Sequence, residues 1–480
     1  MSGNRPLRVC VVLAHSLHAR NFVGSGCLDG FARRGHQVVL VVPDFARAEI
    51  ERETTGWPVP PGIERLPAMG RARDELRLWM RLASYAQRRR YLTYRHKVRE
   101  RLLGVLQPRT LLMPPRREAP WRLGRALLLL SLLPAARLAD LEAAARRLDG
   151  YLSPVPAASG LIERLRPDVL LAPTRVRAEG ELELLKAARR AGVPTVAFAA
   201  TWDALTSKGF FLLLPDWLLV WGDDNRDQAI EHHGVRPERI VVTGAPQLDV
   251  YGPDERWEGR EAFLARRGIA PDRRVILFAG TTITYWEDEP RHLRALSAAV
   301  ADGELKDCVI WYRPHPRRPR AEVPDVRGLP GVVMDDQMAR HKDEGASAYS
   351  ARRADLVHYR SLLEAADGLV TAFSTMIVEA ALLGKPSLVI GFGDDQTGRG
   401  RLIQHANYEH SLDILRTPGV TLCRTLDALK REVQRIAAGE YAGHAAGLRA
   451  RAGAIARNAD GGARARIVAA VEAIARGARP

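Results

Sequence analysis

Short apolar runs rich in β-branched residues alternate with helical stretches along most of this chain. One series comprises Leu7–Leu13, Gln37–Val42, Val169–Ala172, Thr195–Ala199, Trp217–Trp221 and Ile240–Thr243. A second series comprises Arg274–Ala279, Val309–Arg313, Val332–Asp335, Gly368–Thr371, Ser387–Gly391 and Val420–Arg424. Strands that alternate with helices pair in parallel through right-handed crossovers. The alternation therefore predicts an α/β protein with two Rossmann-like, doubly wound parallel sheets.

The chain length supports a division into two domains, because a single core rarely grows beyond about 250–300 residues and this chain has 480. We predict an N-terminal Rossmann-like domain over residues 1–250, with a basic helical insertion at about 71–160, and a C-terminal Rossmann-like domain over 251–440. Residues 441–480 are predicted to form a closing helix. The segment Ala245–Glu261, with two prolines, is the predicted linker. Two such sheets in tandem bind ligands in the cleft that faces the carboxyl ends of their strands.

The positive charge of the chain is concentrated in one segment. The formal net charge is +16, and Arg71–Arg125 alone contains 16 Lys/Arg against 4 Asp/Glu. Apolar residues recur there at near-helical spacing among the arginines, as in a basic amphipathic helix that binds an anionic membrane surface. A solvated arginine-rich helix is the alternative. Nucleic acid is not an expected partner, because no helix-turn-helix, RRM or KH signature accompanies the charge.

Cysteine usage and hydropathy predict the compartment. The four cysteines lack CxxC or metal-ligand spacing, which argues against a disulfide framework and a structural zinc site. The apolar stretch Ala126–Leu133 is far shorter than the roughly 20 residues of a membrane-spanning helix, and the N-terminus lacks the layout of a signal peptide. We expect a cytoplasmic protein that the basic segment would allow to bind peripherally at the inner face of the plasma membrane.

The motif Arg313-Pro314-His315-Pro316 follows a predicted strand directly. Proline on both sides of His315 favours extended backbone and ends the strand there. The imidazole is therefore expected at the carboxyl edge of the sheet, where it can donate a hydrogen bond to a phosphate while Arg313 adds positive charge. The alternative is an ordinary loop with a half-buried histidine.

A second motif, Thr371–Thr375, lies between a strand and a helix. Hydroxyl groups and backbone N–H groups at a helix N-terminus form an anion site, so Ser374 and Thr375 are candidate phosphate ligands. Glu379 shares a helix face with Thr375 and is a candidate ligand for a ribose. Simple N-capping is the alternative.

Two further loops are weaker candidates for close approach to a diphosphate. Gly280-Thr281-Thr282 follows the first strand of the second series, and small hydroxyl residues there allow the backbone to approach phosphate groups. Gly24-Ser25-Gly26 occupies the matching first loop of the N-terminal half and is not a GxGxxG fingerprint.

The paired motifs resemble those of known bacterial transferases. Arg313–Pro316 together with Ser374-Thr375 resembles the motifs of capsule transferases that use CMP-sialic acid or CMP-Kdo, and of CDP-glycerol glycerophosphotransferases. This resemblance implies that His315, Ser374 and Thr375 contact the donor phosphate and that Glu379 contacts the ribose. The pair here is Ser-Thr instead of Ser-Ser, and the basic segment has no counterpart in the pattern.

Other runs extend the resemblance over about Pro167–Leu426. Ala199–Gly209, followed by Pro215–Gly222, resembles surface-carbohydrate biosynthesis proteins. Val242–Pro246 resembles the interdomain crossing of GT-B enzymes and of UDP-GlcNAc 2-epimerase. The resemblance implies a GT-B fold with an N-terminal acceptor domain and a C-terminal nucleotide-donor domain. The N-terminal loop lacks the GTRPE-like run of the epimerase, which disfavours that enzyme.

An inverting transfer needs a carboxylate or imidazole that takes the proton of the acceptor. Asp203 follows the predicted strand Thr195–Ala199 and lies beside Trp202, whose ring could stack on a sugar; it is the preferred candidate, and His15 after the first strand is the second. A cap or turn role for Asp203 is the alternative. Asp394-Asp395 could bind a divalent metal or donor hydroxyls, but adjacent acids in a Gly-rich loop are usually part of a turn. We expect no cofactor and no metal site, because GT-B enzymes generally stabilise the leaving diphosphate with side chains and helix dipoles.

The leading hypothesis is a glycosyltransferase that uses a UDP-, CDP- or CMP-linked sugar and a surface-polysaccharide or lipid-linked acceptor. One alternative is glycerol-phosphate transfer from CDP-glycerol, which would use the same phosphate-binding residues. A UDP-GlcNAc 2-epimerase-like enzyme is another. A catalytically inert protein that binds polyanions or membranes is the alternative from a different class.

Overall fold

The computed structural model describes residues 5–68, 93, 95, 144, 146, 147, 149–174, 176, 180–281, 289–318, 323, 325, 326, 328–343, 349–393 and 406–480. Several features predicted from the sequence lie outside these residues. They are the basic segment Arg71–Arg125, Thr282 and the pair Asp394-Asp395. Membrane attachment through the basic segment therefore stays a prediction.

The N-terminal half contains a seven-stranded sheet whose described pairings are all parallel. Its strand order is β3-β2-β1-β4-β5-β6-β7. The strands are β1 (Arg8–Val12), β2 (Gln37–Val42), β3 (Gly62–Arg65), β4 (Val169–Thr174), β5 (Thr195–Ala199), β6 (Trp217–Val220) and β7 (Ile240–Val242). Most of these strands are continuous runs of buried aliphatic residues, as expected for a parallel sheet covered by helices on both faces.

The C-terminal half contains a six-stranded parallel sheet with the order β10-β9-β8-β11-β12-β13. The strands are β8 (Arg274–Ala279), β9 (Cys308–Arg313), β10 (Val332–Met334), β11 (Gly368–Thr371), β12 (Ser387–Ile390) and β13 (Val420–Cys423). The prediction of two doubly wound parallel sheets is confirmed. The direction of winding reverses between β1 and β4 in the first sheet and between β8 and β11 in the second.

Helices cover both sheets. The α-helices are Ser16–Ala19, Asp29–Arg33, Asp44–Thr54, Pro156–Leu165, Glu181–Arg190, Ala204–Ser207, Asp223–His233, Arg260–Ala265, Glu289–Ala301, Asp336–Asp343, Arg353–Ala365, Met376–Leu382, Glu409–Leu415, Leu426–Ala437, Ala445–Ile455 and Ala463–Ala475. A π-helix spans Arg20–Gly24, and short 3-10 helices span Pro237–Arg239, Pro246–Tyr251 and Ala442–His444. Within the described part of the chain, no helix is long and apolar enough to cross a membrane.

The C-terminal tail forms two α-helices instead of the single closing helix predicted from the sequence. Helix Ala445–Ile455 packs on the C-terminal half, and helix Ala463–Ala475 returns to the N-terminal half. Asn458, in the turn between them, hydrogen-bonds both the N–H and the C=O of Ala245 in the predicted linker, at 2.9 and 2.8 Å. The Asn458 side chain thus bonds the turn between the two helices to the backbone of the interdomain crossing, and the first helix does not continue through it.

Candidate functional site

Three loops that were predicted to bind phosphate lie at one edge of the C-terminal sheet. Strands β9, β8 and β11 are neighbours in that order, and each is followed by one of the loops singled out from the sequence. Strands in a sheet lie about 4.8 Å apart, so the tips of β9 and β11 are about 10 Å from each other. The structure therefore places His315, Thr281 and Ser374 on the same carboxyl edge, around the point where the winding reverses.

His315 directs a hydrogen-bond donor toward the cleft. Its Nδ1 accepts the backbone N–H of Arg317 at 3.1 Å. The neutral imidazole therefore carries its proton on Nε2, because the other nitrogen uses its lone pair. Nε2 lies 3.4 Å from the hydroxyl of Tyr349, and the two rings are in edge contact with centroids 5.9 Å apart.

His15 faces the same tyrosine from the N-terminal half. Its ring centroid is 6.4 Å from that of Tyr349. Its Nδ1 accepts the backbone N–H of Leu17 at 3.0 Å and caps the helix Ser16–Ala19. Like His315, the neutral ring thus carries its proton on Nε2, which favours a hydrogen-bond donor over the base predicted from the sequence. Tyr349 brings two imidazoles from different halves of the molecule into one cleft.

Arg313 makes its contacts inside the C-terminal half. Its guanidinium lies 2.8 Å from Oδ1 of the buried Asp335 and stacks on Tyr359, with Cζ 4.8 Å from the ring centre. Burial raises the pKa of Asp335, but the charges of Arg313 and His358 outweigh it and bring that pKa to about 2. The sequence predicted that Arg313 adds charge at a phosphate; in the structure a carboxylate already balances this charge.

A possible cation site adjoins this ion pair. Asp335, Asp336 and His358 each offer an atom within 4.8 Å of the others. His358 Nε2 lies 3.2 Å from Asp335 Oδ2, and Arg313 binds the other oxygen of the same carboxylate. Because a guanidinium already neutralises Asp335, these residues fit an ion-pair network better than a divalent cation.

The loop after β8 is fixed by Glu289, which the sequence analysis did not identify. The completely buried Glu289 carboxylate accepts the N–H of Thr281 at 2.8 Å and the hydroxyl of Tyr312 at 2.5 Å, and it pairs with the buried Arg318 at 2.9 Å. A Cβ at Gly280 would lie 2.4 Å from Glu289 Oε1, so only glycine fits at that position. The Thr281 N–H, predicted to face a diphosphate, is instead bonded to this carboxylate.

The Ser374-Thr375 pair stands at the beginning of the helix Met376–Leu382, as predicted. Ser374 Oγ accepts the N–H of Met376 at 3.3 Å, which is the capping role considered as the alternative. Thr375 precedes the helix, and its hydroxyl makes no capping hydrogen bond. Both side chains are partly exposed at the edge of the cleft. Their phosphate-binding role stays a prediction.

Glu379 is buried, and its carboxylate contacts the interdomain linker. Its Oε2 accepts the hydroxyl of Tyr251, at the end of the 3-10 helix Pro246–Tyr251, at 2.8 Å. Burial and the nearby Glu379 charge raise the pKa values of Tyr251 and Tyr359 well above the usual value, so both phenols remain donors. Glu379 therefore joins the linker to the sheet edge, and its predicted contact with a ribose stays a prediction.

Asp203, the preferred candidate base, is held in an ion pair. Its carboxylate lies 2.7 Å from Lys208 Nζ and accepts the hydroxyl of Ser207 at 2.7 Å. Burial acts to raise the pKa of Asp203, but Lys208 and His410 outweigh it and hold that pKa well below its usual value. A carboxylate with a low pKa is a weak base at neutral pH. The neighbouring Thr206 bonds His410 of the C-terminal half at 2.8 Å, so this segment lies where the two halves meet.

The first loop of the N-terminal half packs against the C-terminal half. A Cβ at Gly24 would lie 2.7 Å from the carbonyl oxygen of Ala351. The carbonyl of Ser25 accepts hydrogen bonds from Arg353 at 2.6 Å and from Arg464 at 3.1 Å. Protein groups therefore fill the space beside Gly24 and Ser25, and the weak prediction that this loop approaches a diphosphate stays a prediction.

Arg20, in the same loop, was not singled out from the sequence. It begins the π-helix Arg20–Gly24, an arrangement that is frequent at functional sites. Its guanidinium carbon lies 5.7 Å from the ring centre of Tyr359, on the C-terminal half. One arginine among the 72 Lys and Arg of this chain gives no sequence signal of its own.

A large cavity lies away from this edge. It has a volume of about 610 Å³ and lies at the amino ends of β5, β6 and β7, beside Pro194, Trp217 and Arg239. The carboxyl edge, where doubly wound sheets bind their ligands, is the opposite one. This cavity is therefore separate from the candidate site.

Two doubly wound sheets, with polar loops at the carboxyl edge of each, define a GT-B protein. Residues 216–473, more than half of the chain, match the sequence profile of the CDP-glycerol:poly(glycerophosphate) glycerophosphotransferase family. The chain therefore belongs to this transferase family. No match was found among curated protein sequences.

Solved structures show the same fold at low sequence identity. A putative UDP-N-acetylglucosamine 2-epimerase from Listeria monocytogenes is 12% identical, with a TM-score of 0.51 over 99% of this chain and 98% of that one. The calicheamicin glycosyltransferase CalG4 is 14% identical, with a TM-score of 0.51 over 99% of this chain and 100% of that one. These neighbours carry out different reactions, so their likeness establishes the fold alone.

Proposed function

We propose that this protein transfers glycerol phosphate, or a closely related polyol phosphate, from a CDP-linked donor to a hydroxyl group of a cell-surface polymer. The acceptor oxygen would attack the β-phosphorus and form a new phosphodiester bond. The bond from that phosphorus to the bridging oxygen would break, CMP would leave with the bridging oxygen, and the hydroxyl proton would pass to a base or to water. Family membership supports this choice among the nucleotide-dependent transferases.

The observation that carries the proposal is the position of two imidazoles around Tyr349. His315 and His15 come from opposite halves, and each has its Nδ1 occupied by a backbone N–H. In the neutral form both rings therefore carry their proton on Nε2, and an Nε2–H is a group that can hydrogen-bond phosphoryl oxygens and stabilise charge on a leaving phosphate. In this scheme His315 binds the donor phosphate, and His15 approaches it from the acceptor side.

Glycosyl transfer from a UDP-, CDP- or CMP-linked sugar is the second candidate, because the same phosphate-binding edge would serve it. The released nucleotide and the product distinguish the two. Polyol-phosphate transfer releases CMP and leaves a donor phosphorus in the product. Transfer from a UDP- or CDP-sugar releases the diphosphate, and transfer from a CMP-sugar leaves no donor phosphorus in the product. Chromatography of the nucleotide and phosphorus analysis of the product measure both.

The central test is nucleotide binding by His315→Ala. We expect millimolar CDP to raise the Tm of the wild type, because a ligand at 100 times its Kd stabilises a protein by about 2.7 kcal/mol. The variant should keep its fold and bind CDP about 10-fold more weakly, as expected for the loss of one charge-assisted hydrogen bond. His444→Ala, on the C-terminal tail, is the matched control. If none of the four nucleotides CDP, CMP, UDP and GDP shifts the wild-type Tm, the proposed function is wrong.

The membrane and metal expectations belong to the same proposal. The basic segment Arg71–Arg125 would hold the enzyme at the anionic inner face of the plasma membrane, beside a lipid-linked acceptor. Its deletion should abolish co-sedimentation with anionic liposomes at low salt. We also propose that transfer needs no metal, since Arg313 already balances the charge of Asp335; activity should persist in excess EDTA.

A further inference from the structure

Arg20 places a positive charge in the cleft, and no carboxylate of the described residues forms an ion pair with it. Its side chain is partly buried, and its guanidinium contacts the ring of Tyr359 at 5.7 Å. Among the described residues it takes part in no ion pair or side-chain hydrogen bond. Withdrawing a charge from water without a partner is unfavourable, so such a group is typical of a site that receives an anion.

Other arginines around this cleft are paired. Arg313 binds Asp335 at 2.8 Å, Arg318 binds Glu289 at 2.9 Å, and Arg353 binds Glu255 at 2.6 Å. Each of these guanidinium groups is therefore neutralised by a carboxylate of the protein. Arg20 differs from them although the same cleft surrounds it.

The position of Arg20 relates it to the proposed donor site. Tyr359, which it contacts, lies 4.8 Å from the guanidinium of Arg313, two residues before His315. Burial raises the pKa of Tyr359, and the charge of Glu379, on the helix that follows Ser374, also acts on Tyr359 and raises its pKa further. Arg20 thus lies over the junction of the β9 and β11 tips and approaches it from the N-terminal half.

We propose that Arg20 binds the diphosphate of the donor from the N-terminal half and so completes the phosphate site across the cleft. This inference rests on the proposed function, because it assumes that a nucleoside diphosphate occupies the edge beside His315. A guanidinium can bind two phosphoryl oxygens at once. Arg20 therefore favours nucleotides that carry phosphate at this edge over nucleosides.

The test compares three probes, CDP, CMP and cytidine, by isothermal titration calorimetry. Arg20→Met keeps the unbranched apolar stem against Tyr359 but removes the charge, and Arg20→Lys keeps the charge without the planar fork. We expect Arg20→Met to weaken CDP binding by about 10- to 100-fold and to leave cytidine binding unchanged. Arg20→Lys should recover part of the CDP affinity at low salt. Arg33→Ala, an exposed arginine of the same half paired with Asp29, is the control and should bind CDP normally.

Three other results of these titrations would overturn the inference. If Arg20→Met binds CDP as tightly as the wild type but has a lower Tm, Arg20 is a packing residue of the interface. If the variant loses CDP and cytidine affinity equally, its role is not in diphosphate binding. If the wild type binds none of the three probes, the proposed function fails, and this inference fails with it.

Discussion

The two sheets share one strand order around the point where the winding reverses, yet their first loops make different contacts. In the C-terminal half, the loop after β8 bonds to its own half, because Glu289 holds the N–H of Thr281 and Arg318 together. In the N-terminal half, the loop after β1 bonds across the cleft. His15 faces Tyr349, and the carbonyl of Ser25 accepts hydrogen bonds from Arg353.

The loops after β1 and β8 have the same position in their sheets, but this difference gives them distinct physical roles. A loop fixed by a fully buried carboxylate is preorganised, so it does not have to reorder when a ligand arrives. The conformation of a loop whose hydrogen-bond partners belong to the other half depends instead on how the two halves pack against each other. The C-terminal half thus supplies a fixed edge for the donor, and the N-terminal loop supplies groups that reach this edge from across the cleft.

The largest expected effect tests the fixed loop. Glu289→Gln leaves the buried Arg318 without a charge partner, and breaking a buried ion pair in this way destabilises a protein by about 3–5 kcal/mol. Urea unfolding monitored by circular dichroism measures the loss. Glu304→Gln breaks the exposed pair with Lys430, at 3.1 Å, and should change the free energy of unfolding by at most about 1 kcal/mol. Equal effects of the two substitutions would show that the Glu289 network does not fix the loop.

A smaller effect concerns the ion pair beneath His315. The pKa of Asp335 is about 2 in the folded protein, below its unfolded value of about 3.9. The resulting stabilisation amounts to about 2.6 kcal/mol, is fully present above about pH 5, and falls by about 2 kcal/mol as the pH is lowered to 2. The stability difference between wild type and Asp335→Asn should therefore be largest at pH 7 and should shrink by about this amount at pH 2. A difference that stays constant with pH would exclude an ionised Asp335 as its source.

Much of this architecture could be predicted from the sequence. Strands such as β5 and β8 were predicted with their observed bounds, because strands buried on both faces are continuous aliphatic runs. Strand β3 was missed because Gly62–Arg65 contains two charged residues and lies at the edge of the sheet. The helical pattern of Gly26–Arg34 forms only the shorter α-helix Asp29–Arg33. Gly26 has a φ of +78°, which is outside the helical region, so the helix begins after it.

For the candidate site, positions were predictable and partners were not. The carboxyl ends of parallel strands share one edge, so topology alone brings His315 near Ser374. The contacts of Glu379 depend on Tyr251, which is 128 residues away in the chain. Nothing in the local sequence indicates such a pair. Nor does it indicate that Asp335 neutralises Arg313, or that Arg20 forms no ion pair with a carboxylate in the described part of the chain. The role of a charged residue can therefore be assigned only when its partners in the three-dimensional structure are known.

The smallest predicted effect tests the linker between the two halves. Tyr251→Phe removes the hydrogen bond to the buried Glu379 and leaves a carboxylate with one donor fewer, so we expect a loss of about 1–2 kcal/mol in the free energy of unfolding. Tyr151→Phe, at a side chain that is 84% exposed, is the matched control and should have no effect. The affinities for CDP and 2′-deoxy-CDP, measured by calorimetry, add a second readout. If Glu379 serves only the linker, the ratio of these affinities stays the same in Tyr251→Phe. If the ratio changes, the carboxylate released by the substitution contacts the ribose. Glu379 would then serve both the linker, through Tyr251, and the donor.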